Sequence, residues 1–123
     1  MKPSTLIVDD EPLIRSSLKK AFVNAGHDAD IAATLAEAEA ALARNRYDLC
    51  IVDLKLENAS GLDLLRRLRT QPLTPDIPCI ALSANAMPED IASALAAGFN
   101  DYWTKPIRFK PFLDALERLF PPA

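Results

Sequence analysis

Residues 47–53 read YDLCIVD. Leu49 to Val52 offer no polar position on either side of an extended chain, so a strand built from them is covered on both faces. Such strands stand in the middle of parallel sheets with helices above and below. The run then stops on Asp53, a charge at the tip of an otherwise buried element.

Working outward, TLIV at 5–8 and CIAL at 79–82 repeat the pattern of a short apolar run ending on polar residues. Weaker strand signals lie at 28–32 and in FNDYWT at 99–104. Helical signals fill the intervals. Pro12 suits a first helical turn, and Ile14, Leu18, Ala21, Phe22 and Ala25 follow on one face before Gly26 closes the helix. Thr34 with Glu37 forms a capping box ahead of an alanine-rich helix to Arg44, and Ser60 with Asp63 repeats it ahead of Leu62, Leu65 and Leu68. Prolines at 72, 75 and 78 break the chain before CIAL. Pro88, Glu89 and Asp90 start a helix lined by Ile91, Ala94 and Leu95 and ended by Gly98. The last helix carries Phe109, Phe112, Leu113, Leu116 and Phe120, and Pro121 and Pro122 stop it. This alternation predicts an α/β fold: a doubly wound, five-stranded parallel sheet forming one domain over residues 1–123.

Composition narrows the function classes. Half of the 123 residues are hydrophobic, enough for a core without staples. A net charge of −3, with no basic run, argues against direct contact with nucleic acid. Cys50 and Cys79 sit in apolar runs and read as small buried hydrophobes of a reduced protein. No leader pattern is present, and no apolar run approaches the ~18 residues needed to span a bilayer. The expectation is a soluble, cytoplasmic chain without membrane insertion. His27, after Gly26, reads as a surface histidine rather than a phosphohistidine on an exposed helix, so any phosphoryl donor lies elsewhere. Trp103 reads as core or near-core, and Leu13 falls off the first helix's apolar stripe.

The ends of the apolar runs carry the functional signal. Parallel strands share a carboxyl edge, so Asp9, Asp10, Asp53, Ser83 and Lys105 converge on one rim, where ligands of open α/β sheets bind. Singly, Asp10 could cap a helix, Ser83 begin a turn and Lys105 be solvated. Glu11 and Pro12 read as the start of the first helix. Jointly the rim residues suggest chemistry. Clustered carboxylates repel, and a divalent cation with oxygen ligands relieves them, which suits Mg²⁺ with Mn²⁺ as the alternative. A carboxylate beside such an ion can attack phosphorus, and Lys105 and Ser83 can meet the charge on the phosphoryl oxygens.

The motifs LIVDDEP, YDLCIVDLKLENASGLDLL, IPCIALSA and GFNDYWTKPI, in this order and spacing, resemble the receiver (response regulator) domains of two-component signalling over essentially the whole chain. The resemblance implies a flavodoxin-like (βα)5 fold with strand order 2-1-3-4-5. It implies phosphorylation of Asp53 by a histidine kinase or histidine phosphotransfer protein, and a downstream protein target reached through the face formed by helix 4, strand 5 and helix 5. Asp9, Asp10, Asp53 and the carbonyl of Lys55 would hold the metal. Lys105, aimed by a cis bond to Pro106, would pair with the phosphoryl group. Ser83 and Tyr102 would be the switch pair, and Lys55 and Asn85 would tune dephosphorylation. Such a module catalyses its own phosphorylation and dephosphorylation rather than turning over a substrate. Leu56-Glu57 replaces the frequent Met-Pro, with the loop length to Gly61 kept, and Ser83 stands where threonine is commoner. Leu13 lies on the helix where the family docks its histidine donor. The initial methionine and lack of an output domain suit a stand-alone regulator, whereas ALSANAMPEDIASALAAGFNDYWTKPI looks most like hybrid histidine kinase receivers.

Other classes fit less well. A haloacid dehalogenase-type phosphatase would place a second aspartate where Lys55 stands, and a flavin-binding protein would want a Gly/Ser/Thr-rich loop in place of DDEP. A phosphorylation-independent module would be expected to have lost part of the site, and here no part is missing.

Overall fold

In the computed structural model, which describes residues 3–56, 59–70, 76–85 and 87–120, the apolar runs are the strands. The order along the chain is β1 (Ser4–Val8), α1 (Pro12–Asn24), β2 (Asp28–Ala32), α2 (Leu35–Arg44), β3 (Leu49–Asp53), β4 (Lys55–Leu56), β5 (Ala59–Ser60), α3 (Gly61–Thr70), β6 (Cys79–Ser83), α4 (Pro88–Ala97), β7 (Asp101–Thr104) and α5 (Phe109–Leu119). The main sheet runs β2-β1-β3-β6-β7, and its pairings are all parallel. This is the expected order 2-1-3-4-5, with β6 and β7 as the fourth and fifth long strands. The two-residue strands β4 and β5 pair separately and antiparallel.

Alternation along the central strands divides the core in two. Leu6, Val8, Cys50, Val52, Cys79 and Ala81 turn to one face and pack with residues of α2, α3 and α4. Ile7, Leu49, Ile51, Ile80 and Leu82 turn to the other, under Leu18 and Phe22 of α1 and Phe112 and Leu116 of α5. Both cysteines are free and fully buried. Trp103 is partly buried, edge-on to Phe112.

Local chemistry sets the boundaries. Thr34 Oγ1 accepts from the Glu37 N–H at 3.1 Å, while Glu37 Oε1 accepts from the N–H of Ala33 at 3.0 Å, a capping box that returns one residue early. Ser60 Oγ accepts from the Leu62 N–H at the start of α3. Arg69 joins the end of α3 to the carbonyls of Ile77 and Gly98 and to the Asn100 side chain.

Three expectations need correction or refinement. His27 is not a surface residue but is buried, its ring 5.5 Å from Phe22 and 5.1 Å from Phe120, because the end of α5 packs over the turn it occupies. Burial lowers its pKa below the usual histidine value. The fifth strand begins at Asp101, because Phe99 goes into the core and Asn100 accepts the Cys79 N–H at 2.8 Å. Phe120 ends α5 as its C-cap. Pro72, Pro75, Glu57, Pro121 and Pro122 lie outside the described residues.

Gly61 sets how closely α3 approaches the sheet. A Cβ there would meet the Asp53 carbonyl oxygen at 2.4 Å and Val52 Cγ1 at 2.8 Å. The first obstacle is backbone and cannot swing away. Gly61→Ala is expected to lower stability by about 1–3 kcal/mol, the usual cost of overpacking, read as a lower urea midpoint at unchanged slope. An unchanged midpoint would show that α3 can stand further off.

Candidate functional site

The strand register explains how residues far apart in sequence meet. Val8 pairs with Val52 and with Ala32, Asp53 with Leu82, and Ser83 with Thr104. The tips of β1, β3, β6 and β7 therefore end together. The rim opens beside β1, where the chain passes from β2 on one side to β3 on the other. That reversal leaves a crevice at the carboxyl edge of the sheet.

Asp9 is fully buried, and its Oδ1 accepts the N–H of Glu11 at 2.8 Å. Its carbonyl oxygen accepts from Arg15 Nη1 at 2.9 Å. Asp53 is also buried, and its Oδ1 accepts the N–H of Lys55 at 3.0 Å. Lys105 Nζ lies 2.8 Å from Asp9 Oδ2, 3.0 Å from Asp53 Oδ2 and 3.0 Å from Glu11 Oε1. The Lys105–Pro106 peptide bond is cis. The Lys105 N–H bonds the Ser83 carbonyl at 2.8 Å, which registers the lysine against the tip of β6. One ligand atom from each of Asp9, Asp10, Glu11 and Asp53 lies within 4.8 Å of the others.

Burial and charge together set the titration of the two central groups. Burial is the largest influence on Asp53 and raises its pKa; the Asp9 charge adds to this, and the bonds from Lys105 and the Lys55 N–H offset it in part. Burial alone would lower Lys105, but Asp9, Asp53 and Glu11 together outweigh it and hold the ammonium above the ordinary lysine range.

Further along the rim, Ser83 Oγ accepts the N–H of Asn85 at 3.1 Å. The Tyr102 hydroxyl donates to the Asn85 carbonyl at 2.7 Å. These two residues are joined through Asn85, whereas Asp9, Asp10, Asp53 and Lys105 form the charged cluster. Lys55 is exposed, with its amide on Asp53.

Glu11, a helix start by its place in the sequence, belongs to this rim as well. Its side chain makes no capping bond to α1 and reaches Lys105 instead. A signal was available: glutamate is not among the residues favoured at an N-cap, so a glutamate in that position needs another reason.

A family model described as the response regulator receiver domain matches residues 5–117. The chain belongs to this family. It is 35% identical over 114 residues to the virulence transcriptional regulatory protein PhoP of Shigella flexneri, a match covering 93% of this chain and 50% of that protein. It is 39% identical over 101 residues to the phosphate regulon transcriptional regulatory protein PhoB of Pseudomonas aeruginosa, covering 82% and 44%. The chain spans about half the length of the curated relatives it matches. Among solved structures, the chemotaxis protein CheY4 of Vibrio cholerae superposes with a TM-score of 0.90 at 26% identity, covering 97% of this chain and 99% of that one. The signal receiver domain of a histidine kinase from Syntrophus aciditrophicus gives 0.83 at 31% identity, covering 95% and 89%. Among the described residues no helix is long and apolar enough to cross a membrane.

A raised folded pKa makes the Asp53 carboxyl's contribution to stability largest below its unfolded value, and that contribution is lost as pH climbs through the raised value. Asp53→Asn should therefore stabilise the metal-free receiver domain, with a larger gain at about pH 7 than at about pH 4. Urea unfolding at the two pH values measures the difference. A variant less stable than the native chain at neutral pH would show that the bond to Lys105 outweighs burial.

Proposed function

We propose that this receiver domain accepts a phosphoryl group on Asp53, from the phosphohistidine of a histidine kinase or histidine phosphotransfer protein. The observation that carries the reading is the half-buried Lys105 ammonium, 3.0 Å from Asp53 Oδ2 and 2.8 Å from Asp9 Oδ2 at the mouth of the crevice.

The residues fit a hard divalent cation, since the cluster is made of carboxylate oxygens whose mutual repulsion a cation would relieve. Asp9, Asp10, Asp53 and the Lys55 carbonyl would hold Mg²⁺, or Mn²⁺ in its place. When bound, the ion neutralises charge on the phosphoryl oxygens. The protein's own groups do the rest. A carboxylate oxygen of Asp53 attacks phosphorus, the P–N bond breaks, and its electron pair stays on the donor imidazole, which takes up a proton. Lys105 supplies positive charge to the transferred oxygens, and the Lys55 N–H steadies the carboxylate.

The Ser83 hydroxyl is the group nearest in register that can follow the new charge, one residue past Asp53's partner Leu82. Turning toward the phosphoryl group releases the Asn85 N–H, and Asn85 also holds Tyr102. The switch would thereby reach β7 and the face formed by α4, β7 and α5, where a downstream protein target reads it. Lys55 and Asn85 have exposed side chains two residues past the ends of β3 and β6 and would govern how water reaches the acyl phosphate. We read residues 1–123 as one receiver domain, a signalling module that performs its own phosphorylation and dephosphorylation rather than a turnover enzyme. We place it in the cytoplasm, where two free buried cysteines are at home.

Incubation with Mg²⁺ and acetyl phosphate should add one phosphoryl group by intact mass, and the adduct should be acid-stable and base-labile. Asp53→Asn should abolish the addition. Full-yield labelling of that variant would refute the assignment.

A further inference from the structure

The Lys105 ammonium donates to Asp53 Oδ2 and to Glu11 Oε1, and Asp9 Oδ2 stands 2.8 Å from it as an ion-pair partner without a hydrogen bond. A phosphoryl oxygen arriving on Asp53 draws the ammonium inward, and a contact that holds it outward opposes that movement. The three are not equivalent. Asp9 is 0% exposed and is further tied through Oδ1 to the Glu11 N–H. Asp53 is 6% exposed and is the acceptor itself. The Glu11 side chain is 59% exposed and makes no capping bond, so it can return to water at least cost.

We infer that Glu11 is a positioning residue that restrains Lys105, holding one ammonium donor toward solvent until phosphoryl transfer draws it inward. This rests on the reading of Asp53 as the phosphoacceptor. Glu11 projects from the N-cap of α1, and the carboxylate it competes with belongs to β3, so the restraint crosses the crevice between the two elements. The same negative charge faces an incoming anionic donor, which adds to the restraint.

The alternative role for Glu11 is as a fourth carboxylate for the metal, because its ligand atom falls within 4.8 Å of the others. The two roles predict opposite results on removing the charge. A restraint on Lys105 slows transfer, so removal speeds it while metal affinity stays nearly constant. A metal ligand strengthens cation binding, so removal weakens it and gains nothing in rate once the metal is saturating.

The test compares the native chain with Glu11→Gln, which keeps the size of the side chain and loses its charge. Mg²⁺ affinity is measured by calorimetry without phosphodonor, and the rate of phosphorylation by acetyl phosphate is followed by intact mass at saturating Mg²⁺. The expected result is a rate gain of about threefold or more, the scale of a partly exposed ion pair, with Mg²⁺ affinity changed by less than that factor. A smaller gain, or a larger loss of affinity, overturns the inference. A native chain that acquires no phosphoryl group fails the phosphoacceptor reading and this inference with it; a native chain that is labelled beside a variant no faster fails the Glu11 assignment alone.

Discussion

Lys105 brings a single positive charge into a rim reached by the carboxylates of Asp9, Glu11 and Asp53. The rest of the site depends on that imbalance. Two of these carboxylates are buried, and burying an anion is costly unless something compensates it. Backbone N–H groups of Glu11 and Lys55 and the one ammonium supply the compensation available in the chain itself. The remaining negative charge makes this a group of carboxylates that could hold a cation.

The fold exists in this account to make that crowding hold. A parallel sheet with apolar residues on both faces brings the tips of β1, β3, β6 and β7 to one edge. Gly61 lets α3 begin almost in contact with the Asp53 carbonyl, and the Lys105 N–H bond to the Ser83 carbonyl positions the lysine. The charged groups therefore stand on the ends of rigid elements. Ser83 and Tyr102 stand on β6 and β7, and Asn85, which joins them, lies on the loop after β6, where movement disturbs the core least.

The sheet order and the charged rim were legible in the sequence because they rest on strong one-dimensional signals. Both-face apolar runs such as LCIV mark central strands, and acids or a lysine at their ends mark the carboxyl edge. The features that were not legible depend on tertiary contact. His27 follows a glycine turn, which suggests exposure, and it is buried between Phe22 of α1 and Phe120 at the end of α5. Asn100 sits within an apparent strand signal, yet its side chain is taken by the Cys79 amide. The small β4–β5 pair follows from how the loop after Asp53 closes, which no periodicity announces. Glu11 has a sufficient local explanation at a helix start, and its distance to Lys105 exists only in three dimensions.

The central claim is that the chemistry of this rim is carried by one carboxylate, that of Asp53. Reduction of the phosphorylated domain with borohydride converts an acyl-phosphorylated aspartate to homoserine, and peptide sequencing by tandem mass spectrometry then locates it. The account predicts homoserine at position 53, in the peptide containing LCIVDLK, and nowhere else. Homoserine at position 9 or 10, or a phosphoryl group retained on Ser83 or His27 after reduction, would contradict it.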